Sequence, residues 1–351
     1  MEFLFEYGLF LAKSATVVVT IGLIAAIVFA NSGKAKGGKK GTLELTDLGE
    51  KYEDHELMMQ EQLLTEEEIK QARKDEKKRL KEEKKQAKKK GDDKADEVLT
   101  SRVFVLKFNG SVDAHEVESL REEVSAILSV ADKERDEVLL KLESGGGVVH
   151  GYGLAASQLD RLKKAEIPLT VVVDKVAASG GYMMACLADK LFCAPFAIIG
   201  SIGVIAQVPN FNKLLKKHDV EFEQITAGEY KRTLTMFGEN TDKAREKFQL
   251  EIDEVHGLFK DFVQRYRPEL DLAKVATGEH WFGAQALELG LVDELATSDE
   301  LLGRYYSEDK ELHLVEFVAR KKLSEKVAEN VVSSFVSSAT NKLMKIRHWY
   351  Q

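Results

Sequence analysis

A serine placed for nucleophilic chemistry, Ser179, stands in the stretch KVAASGGYMMA at positions 175–185. A serine hydroxyl attacks a carbonyl carbon when a base takes its proton and nearby N–H groups bind the oxyanion that forms. Gly180 follows the serine, so no side chain shields its N–H. Because Ala177 stands where G-x-S-x-G has its first glycine, the stretch is not a hydrolase nucleophile elbow. The pattern predicts either an acyl-transfer nucleophile or a structural turn that opens a helix.

A second glycine-rich stretch, ESGGGVVHG at positions 143–151, ends one predicted strand and opens one predicted helix. Its Gly146 and Gly147 can bring a further N–H close to the serine, since loops that follow parallel strands meet at one edge of a sheet. The spacing fits neither a nucleotide-hydrolase phosphate loop nor a dinucleotide loop. Either loop alone is more often a tight turn, but two of them can converge on one oxyanion site.

The predicted base is Lys231, in TAGEYKRTLTMFGE at positions 226–239. It follows a glycine-containing turn and enters an apolar stretch, where an amine can be desolvated. Lysines in general work as bases near neutral pH only when desolvation lowers their pKa from about 10.4 towards 7. Of the eight histidines, His115 and His150 lie nearest the glycine loops. Neither shows an evident carboxylate partner in the sequence, so a Ser–His arrangement is the weaker alternative.

Short strands and helices alternate from residue 99 onward. This βαβ alternation predicts an α/β fold with a mainly parallel sheet, whose strand ends would carry both glycine loops. A turn, helix and strand are predicted over 278–297. The predicted strands cover 102–108, 137–144, 168–174 and 190–195, and the predicted helices cover 113–131, 149–165, 179–188 and 241–267.

The N-terminus predicts a membrane anchor. The stretch of about 22 residues from Leu9 to Ala30 is predominantly apolar, with Lys13 as its only charged residue, and is long enough to cross a bilayer of about 30 Å. No signal-peptide exit site follows, so the anchor is expected to remain uncleaved. The lysines at 34, 36, 39 and 40 favour a cytoplasmic body by the positive-inside rule. The apolar run over 182–206 contains charges and is expected to be buried core.

A highly charged segment separates the anchor from the globular part. Its Thr65 and Glu68 form a predicted capping box, and Glu–Lys pairs recur at helical spacing. We expect a solvated helical stalk, with a partner-binding or lipid-headgroup arm as the alternative. The predicted domains are an anchor over 1–31, a charged linker or stalk over 32–98, a catalytic domain over 99–310 and a C-terminal extension over 311–351.

The overall composition narrows the class of protein. The 351 residues carry a net charge of −8, which gives no sign of a nucleic-acid partner. The two cysteines, Cys186 and Cys193, lie in apolar surroundings, so buried thiols are favoured over a disulfide. No metal or other cofactor is expected.

Five motifs resemble the signal peptide peptidase A family of membrane serine peptidases, and most closely its short bacterial inner-membrane members, and the resemblance covers roughly residues 1–310. The resemblance implies a Clp-protease/crotonase-like fold built of repeated units, a Ser–Lys dyad and subunits that assemble into rings. The motifs are DKVAASGGYMMACLAD, ESGGGVVHGYGLAASQL, GSIGV, TAGEYKRTLTMFGENT and GEHWFGAQALELGLVDE.

The resemblance also assigns roles to the residues that match its motifs. It implies extended hydrophobic peptides as substrates, such as membrane-protein fragments or remnant signal peptides, and a family preference for the outer membrane face. Where the family commonly has S-P-G-G, this chain has S-G-G-G, which enforces the turn less strongly. The implied roles are Ser179 as nucleophile, Lys231 as general base, Ser201 as the residue that orients the lysine, and the N–H groups of Gly180, Gly146 and Gly147 as oxyanion donors.

Two other functions fit parts of the sequence. A crotonase-type thioester enzyme would share the fold and the oxyanion loops, but it normally needs carboxylates in its pocket. A non-catalytic membrane scaffold would keep the fold and bind through the charged stalk. The C-terminal segment from 324 to 351, with Trp349 and Tyr350 near its end, is expected to serve subunit contacts, lie on the membrane or fray.

Overall fold

The structure, a computed structural model, describes residues 41–65 and 100–319, with single residues at 7, 8, 10, 13, 67, 68, 74 and 78. The described residues from 43 to 317 belong to one compact unit. The predicted anchor lies outside the described residues apart from positions 10 and 13. Among the helices that are described, none combines the length and the apolar character needed to cross a membrane.

Strands and helices alternate along the described chain, as the sequence predicts. The strands are β1 (Gly41–Asp47), β2 (Arg102–Gly110), β3 (Asp136–Ser144), β4 (Leu169–Val173), β5 (Val176–Ala178), β6 (Lys190–Cys193), β7 (Ile198–Gly200), β8 (His280–Phe282), β9 (Glu294–Leu295) and β10 (Glu311–Ala319). The helices are α1 (Leu48–Leu63), α2 (Val117–Val130), α3 (Val149–Lys164), α4 (Gly180–Ala185), α5 (Asn212–Lys217), α6 (Asp242–Tyr266), α7 (Leu272–Val275), α8 (Gly283–Glu288) and α9 (Ser298–Ser307).

The described strands form one sheet that divides at β3. The main path runs β1-β10-β2-β3-β4-β6-β9. At its end β3 also pairs with β5 through Ser144 and Ala177, and from β5 a second branch continues to β7 and β8. The pairings from β10 to β9 and from β3 to β7 are parallel, whereas β7 and β8 are antiparallel. The mixed α/β fold class predicted from the sequence is confirmed.

Helices cover both faces of the main sheet, so its strands are apolar on both sides. In β2, Phe104, Leu106 and Phe108 face a core shared with α2, α3 and α4. The alternate residues Val103 and Val105 face a second core, which α9 and β10 complete. Successive side chains of β2 point to opposite faces of the sheet, so they pack into two different cores.

The long apolar elements lie close to their predicted positions, whereas several short or late ones are absent from the prediction. Strands β2, β3, β4 and β6 and helices α2, α3 and α6 match within a few residues at each end. The helix expected over 179–188 is shorter, at 180–185. The prediction omitted β1, α1, β5, β7, α5, α7, β8, α9 and β10.

Part of the predicted linker and part of the predicted C-terminal extension are folded. Asp47 caps the start of α1, because its carboxylate accepts the Gly49 N–H at 2.8 Å, and Tyr52 of α1 stacks on Tyr306 with ring centroids 4.8 Å apart. At the other end, β10 pairs in parallel with β2. The predicted capping box is present, because Thr65 donates its N–H and hydroxyl to Glu68, both at 2.8 Å, and Thr65 Oγ1 accepts the Glu68 N–H at 3.5 Å.

The two cysteines are buried and free, as predicted. Burial raises the pKa of Cys186 to about 12 and that of Cys193 to about 11. Cys186 belongs to a continuous buried run from Tyr182 to Ala188. The apolar stretch that begins at Tyr182 therefore contributes to the core, as expected.

Helix α2 carries a buried carboxylate that has only one hydrogen bond. Glu123 is 5% exposed, and its Oε1 accepts the Phe317 N–H at 2.9 Å. Its Oε2 is buried and has no hydrogen-bond partner among the described residues. Burial raises the pKa of Glu123 to about 7, and the nearby Glu316 acts in the same direction. The folded chain therefore binds more protons than the unfolded chain between about pH 4.5 and pH 7, and its stability falls as pH rises through that window.

Replacing Glu123 by glutamine is expected to raise the free energy of unfolding at pH 8 by about 3 kcal/mol and to leave it nearly unchanged near pH 4.5. Glutamine keeps an acceptor for the Phe317 N–H and carries no charge at either pH. The melting temperature of detergent-solubilised protein, followed from pH 4.5 to 8, gives the measurement. Glu118→Gln, an exposed change on the same helix, serves as the control. Equal pH slopes for the Glu123→Gln variant and the wild type would contradict the assignment.

Candidate active site

The candidate nucleophile Ser179 connects β5 to α4 in a backbone conformation that is rare for a residue with a side chain. Its φ is +53°, in the left-handed region, so the chain turns sharply at this point. The Ser179 N–H donates to Gly200 O at 2.8 Å, which ties the turn to β7. The side chain is half-buried, and its hydroxyl has no hydrogen-bond partner among the described residues. Strained backbone of this kind, here beside a hydroxyl without a partner, is typical of functional sites.

Ser201 leaves the neighbouring strand at the same level. Ala178, the last residue of β5, is paired with Gly200, the last residue of β7, so the two serines follow directly paired positions. Ser201 also has a positive φ, +52°, and its N–H donates to Glu279 O at 2.7 Å. The fold thus brings together two serines that are 22 positions apart in the sequence.

The glycine loop after β3 packs directly against Ser179. Gly146 has a φ of +84°, and a Cβ there would lie 2.6 Å from the Gly180 nitrogen and 2.8 Å from Ser179 Cβ. At Gly147 a Cβ would lie 1.9 Å from the carbonyl oxygen of Val112. A side chain at Gly146 would therefore push the loop away from the serine, and one at Gly147 would push it away from Val112. The predicted convergence of the two glycine-rich stretches is present in the fold.

The backbone N–H groups of this loop are not equivalent. The Gly146 N–H donates to Ser144 Oγ at 3.0 Å and is already engaged. The N–H groups of Gly147 and Gly180 donate to no acceptor within the described part of the chain. Of the three donors proposed from the resemblance, these two remain available for an oxyanion, and Gly146 supports the turn instead.

Within one chain, the predicted base makes no described hydrogen bond to these groups. Lys231 is exposed and lies on the segment over 204–241, here called the arm. Its N–H donates to Gly228 O at 3.2 Å, and no described hydrogen bond links it to Ser179 or Ser201. Glu229, two residues before Lys231, forms a salt bridge in which its Oε1 lies 2.6 Å from Lys243 Nζ. A single chain therefore presents the nucleophile and two free donors, while the amine stays in water.

In the histidine alternative, His115 has carboxylate partners, but these belong to a cluster around Ser111. Contrary to expectation, His115 has carboxylate partners, because its Nδ1 lies 3.0 Å from Asp113 Oδ1 and its Nε2 lies 3.3 Å from Glu116 Oε1. The hydrogen bond from His115, with a second from Ser111, lowers the pKa of Asp113 to about 2. The same Nδ1 lies 2.8 Å from the hydroxyl of Ser111. This cluster is centred on Ser111, not on Ser179.

Two residues absent from the sequence prediction contact the site. Tyr152, on α3, and Ser144, at the end of β3, are both buried and share a hydrogen bond of 2.5 Å. A tyrosine at helical spacing is normally read as core, so only the position of Ser144 beside the glycines could have indicated a role. No group of three or more potential metal ligands is found among the described residues.

Apolar side chains surround the glycine loop on its solvent side. Val112, whose backbone contacts Gly147, is 72% exposed, and Val148 and Val149 are also exposed. These side chains border the loop that would bind an oxyanion. They favour an apolar ligand in this region.

Comparison with protein families gives two adjacent matches. Residues 2–159 match the model described as Peptidase family S49 N-terminal, and residues 161–312 match the model described as Peptidase family S49. The boundary between them falls within α3, between the two glycine-rich stretches.

Curated relatives match over nearly the whole chain. A protein of Haemophilus influenzae named "Probable protease SohB" is 50% identical over 339 residues, which cover 96% of this chain and 95% of the relative. A protein of the same name from Buchnera aphidicola subsp. Acyrthosiphon pisum is 50% identical over 331 residues, covering 94% and 95%. "Putative protease SohB" of Buchnera aphidicola subsp. Baizongia pistaciae is 45% identical over 306 residues, covering 86% and 87%.

Proposed function

Because the chain belongs to peptidase family S49, we propose that it is a serine endopeptidase with Ser179 as nucleophile and Lys231 as general base. The family assignment makes the chain a peptidase. The serine mechanism, the dyad and a Clp-protease/crotonase-like form of the mixed α/β fold are our proposal. The observation that carries it is the partner-free hydroxyl of Ser179, held at a φ of +53° against a loop with free N–H groups.

The proposed reaction proceeds through an acyl-enzyme. The neutral amine of Lys231 accepts the Ser179 proton while Oγ attacks the peptide carbonyl carbon. The tetrahedral oxyanion accepts hydrogen bonds from the N–H groups of Gly180 and Gly147. The C–N bond then breaks, and the lysine ammonium gives its proton to the leaving amine. Water attacks the acyl ester with Lys231 again as base, which releases the carboxylic acid product and restores the serine.

We propose that the lysine comes from a neighbouring copy of the chain. The Ser179 hydroxyl has no hydrogen-bond partner among the described residues, and Lys231 is exposed on the arm. The arm also exposes large apolar side chains, among them Ile225, which is 95% exposed, and Ile205, which is 79% exposed. A second copy that covers this arm would bury the apolar side chains and remove the amine from water, the condition a lysine base needs. Head-to-tail repetition of such a contact closes into the proposed homo-oligomeric ring.

The proposed substrates are extended hydrophobic peptides, such as fragments of membrane proteins or remnant signal peptides. The exposed valines beside the glycine loop support an apolar substrate. The apolar stretch from Leu9 to Ala30 supports a single-pass anchor in a bacterial inner membrane, which would hold the peptidase next to such peptides.

Trapping the acyl-enzyme tests the proposed nucleophile. With a p-nitrophenyl ester of an apolar acyl group, we expect a burst of p-nitrophenol followed by slower turnover, because acylation of the serine precedes slower deacylation. Acid quenching and mass spectrometry should locate the acyl group on the peptide that contains Ser179. An acyl group on another residue, or turnover without burst or adduct, would contradict the proposal.

A further inference from the structure

A directional chain of hydrogen bonds links the glycine loop to the protein core. Tyr152 Oη donates its only proton to the carbonyl oxygen of Ser111 at 2.8 Å, since a carbonyl can only accept. Ser144 Oγ, 2.5 Å from Tyr152 Oη, must therefore donate to the tyrosine. Its remaining lone pairs accept the Gly146 N–H at 3.0 Å. Every member of the chain is satisfied, and the turn at Gly146 depends on it.

The ring of the same tyrosine contacts the other side of the proposed oxyanion site. A Cβ at Gly180 would lie 2.4 Å from Tyr152 Cγ, so the backbone of Gly180 rests directly on the ring. The ring itself is fully buried and makes an edge contact with Phe108, with centroids 6.4 Å apart. Tyr152 therefore contacts the Gly180 backbone with its ring and is linked to the glycine loop through the Ser144 side chain.

We propose that Tyr152 is a positioning residue that sets the distance and orientation between the two oxyanion donors, with Ser144 as its link to the glycine loop. The turn consists of Ser144 followed by three glycines, which do not stiffen the backbone, and the buried hydrogen bonds of Ser144 and Tyr152 supply rigidity instead. The inference rests on the proposed serine mechanism. Burial raises the pKa of Tyr152, so the hydroxyl keeps its proton at neutral pH.

The test compares two buried tyrosines. Tyr152→Phe keeps the ring on Gly180 and removes the hydroxyl that holds Ser144. Tyr182→Phe is the matched control, because Tyr182 is equally buried and donates to the carbonyl oxygen of Leu291 at 2.9 Å. We expect Tyr152→Phe to lower kcat for an apolar fluorogenic peptide by about 10- to 100-fold with KM within about twofold. Tyr182→Phe should keep kcat within about twofold, although both variants should lose a similar few degrees of melting temperature.

Inhibitor binding separates positioning from a merely structural effect. A peptide aldehyde forms a tetrahedral adduct that uses the oxyanion donors, whereas the matching peptide amide does not. For Tyr152→Phe we expect the aldehyde affinity to fall by the same factor as kcat and the amide affinity to stay unchanged. Ser144→Ala should reproduce these losses, and the double variant Ser144→Ala/Tyr152→Phe should lose no more than either single variant.

Two outcomes would overturn the inference and one would overturn its premise. Wild-type kcat in folded Tyr152→Phe, or equal loss of aldehyde and amide affinity, removes the positioning role. If Tyr152→Phe does not fold, Ser144→Ala carries the same test. Wild-type activity in Ser179→Ala would instead show that the serine mechanism itself is wrong, whatever the tyrosine does.

Discussion

Replacing Ser179 by alanine is expected to lower kcat for an apolar fluorogenic peptide by about 10⁴-fold or more, with KM changed only a few-fold. The change removes one oxygen atom and leaves the backbone turn with its Gly180 N–H. Substrate binding should therefore survive while covalent attack is lost. Steady-state kinetics of the detergent-solubilised full chain, with size-exclusion chromatography to verify the assembly, gives the measurement.

The control for this prediction is the separate cluster of Ser111 and His115. His115→Gln removes the imidazole that lies 2.8 Å from the Ser111 hydroxyl and should keep kcat within about twofold. Loss of activity in His115→Gln with full activity in Ser179→Ala would move the nucleophile to Ser111. Thioester turnover that survives Ser179→Ala would favour the crotonase-type alternative.

Replacing Lys231 by alanine is expected to reduce kcat about as strongly as the serine change, since nucleophile and base act as a unit. If the lysine comes from a neighbouring copy, co-assembly of Ser179→Ala and Lys231→Ala subunits should recover activity. In a random one-to-one ring, about a quarter of the sites combine an intact serine with an intact neighbouring lysine. Peptidase activity of the co-expressed, co-purified mixture measures this recovery.

The matched control is Lys217→Ala, another exposed lysine on the same arm, which should keep wild-type activity. Full activity in Lys231→Ala would remove the dyad. Intact mixed rings with no recovered activity would show that each chain uses its own lysine.

The sequence predicts the long elements of this fold because their apolar periodicity is local. Strand β2 alternates between two cores, and α6 repeats apolar residues at helical spacing over 25 residues. Strands β5 and β7 have only three residues each, and they are strands because β3 and β8 offer them backbone partners. Helix α1 lies in a charged stretch and packs through few residues, Tyr52 among them. Its composition therefore predicted a solvent-exposed segment.

The candidate site, like the fold, could be predicted from the sequence only in part. Glycines flanking a serine indicated backbone donors close to a hydroxyl, and the fold places Gly146 and Gly180 there. The serine before the glycines is a local signal for a turn in which Ser144 accepts the Gly146 N–H, but its link to Tyr152 on α3 appears only in the fold. Lys231 was predicted from a glycine-containing turn followed by an apolar stretch and from the family resemblance, but a single chain leaves this residue exposed.

The deeply buried thiols bear on where the enzyme can work. Thiolate is the form that attacks disulfides, and a pKa of about 12 for Cys186 and about 11 for Cys193 leaves almost none at neutral pH. Glutathione and thiol oxidants would find no accessible sulfur on either residue. The core is therefore built identically in oxidising and reducing compartments, and the purified protein should need no reductant to keep its fold.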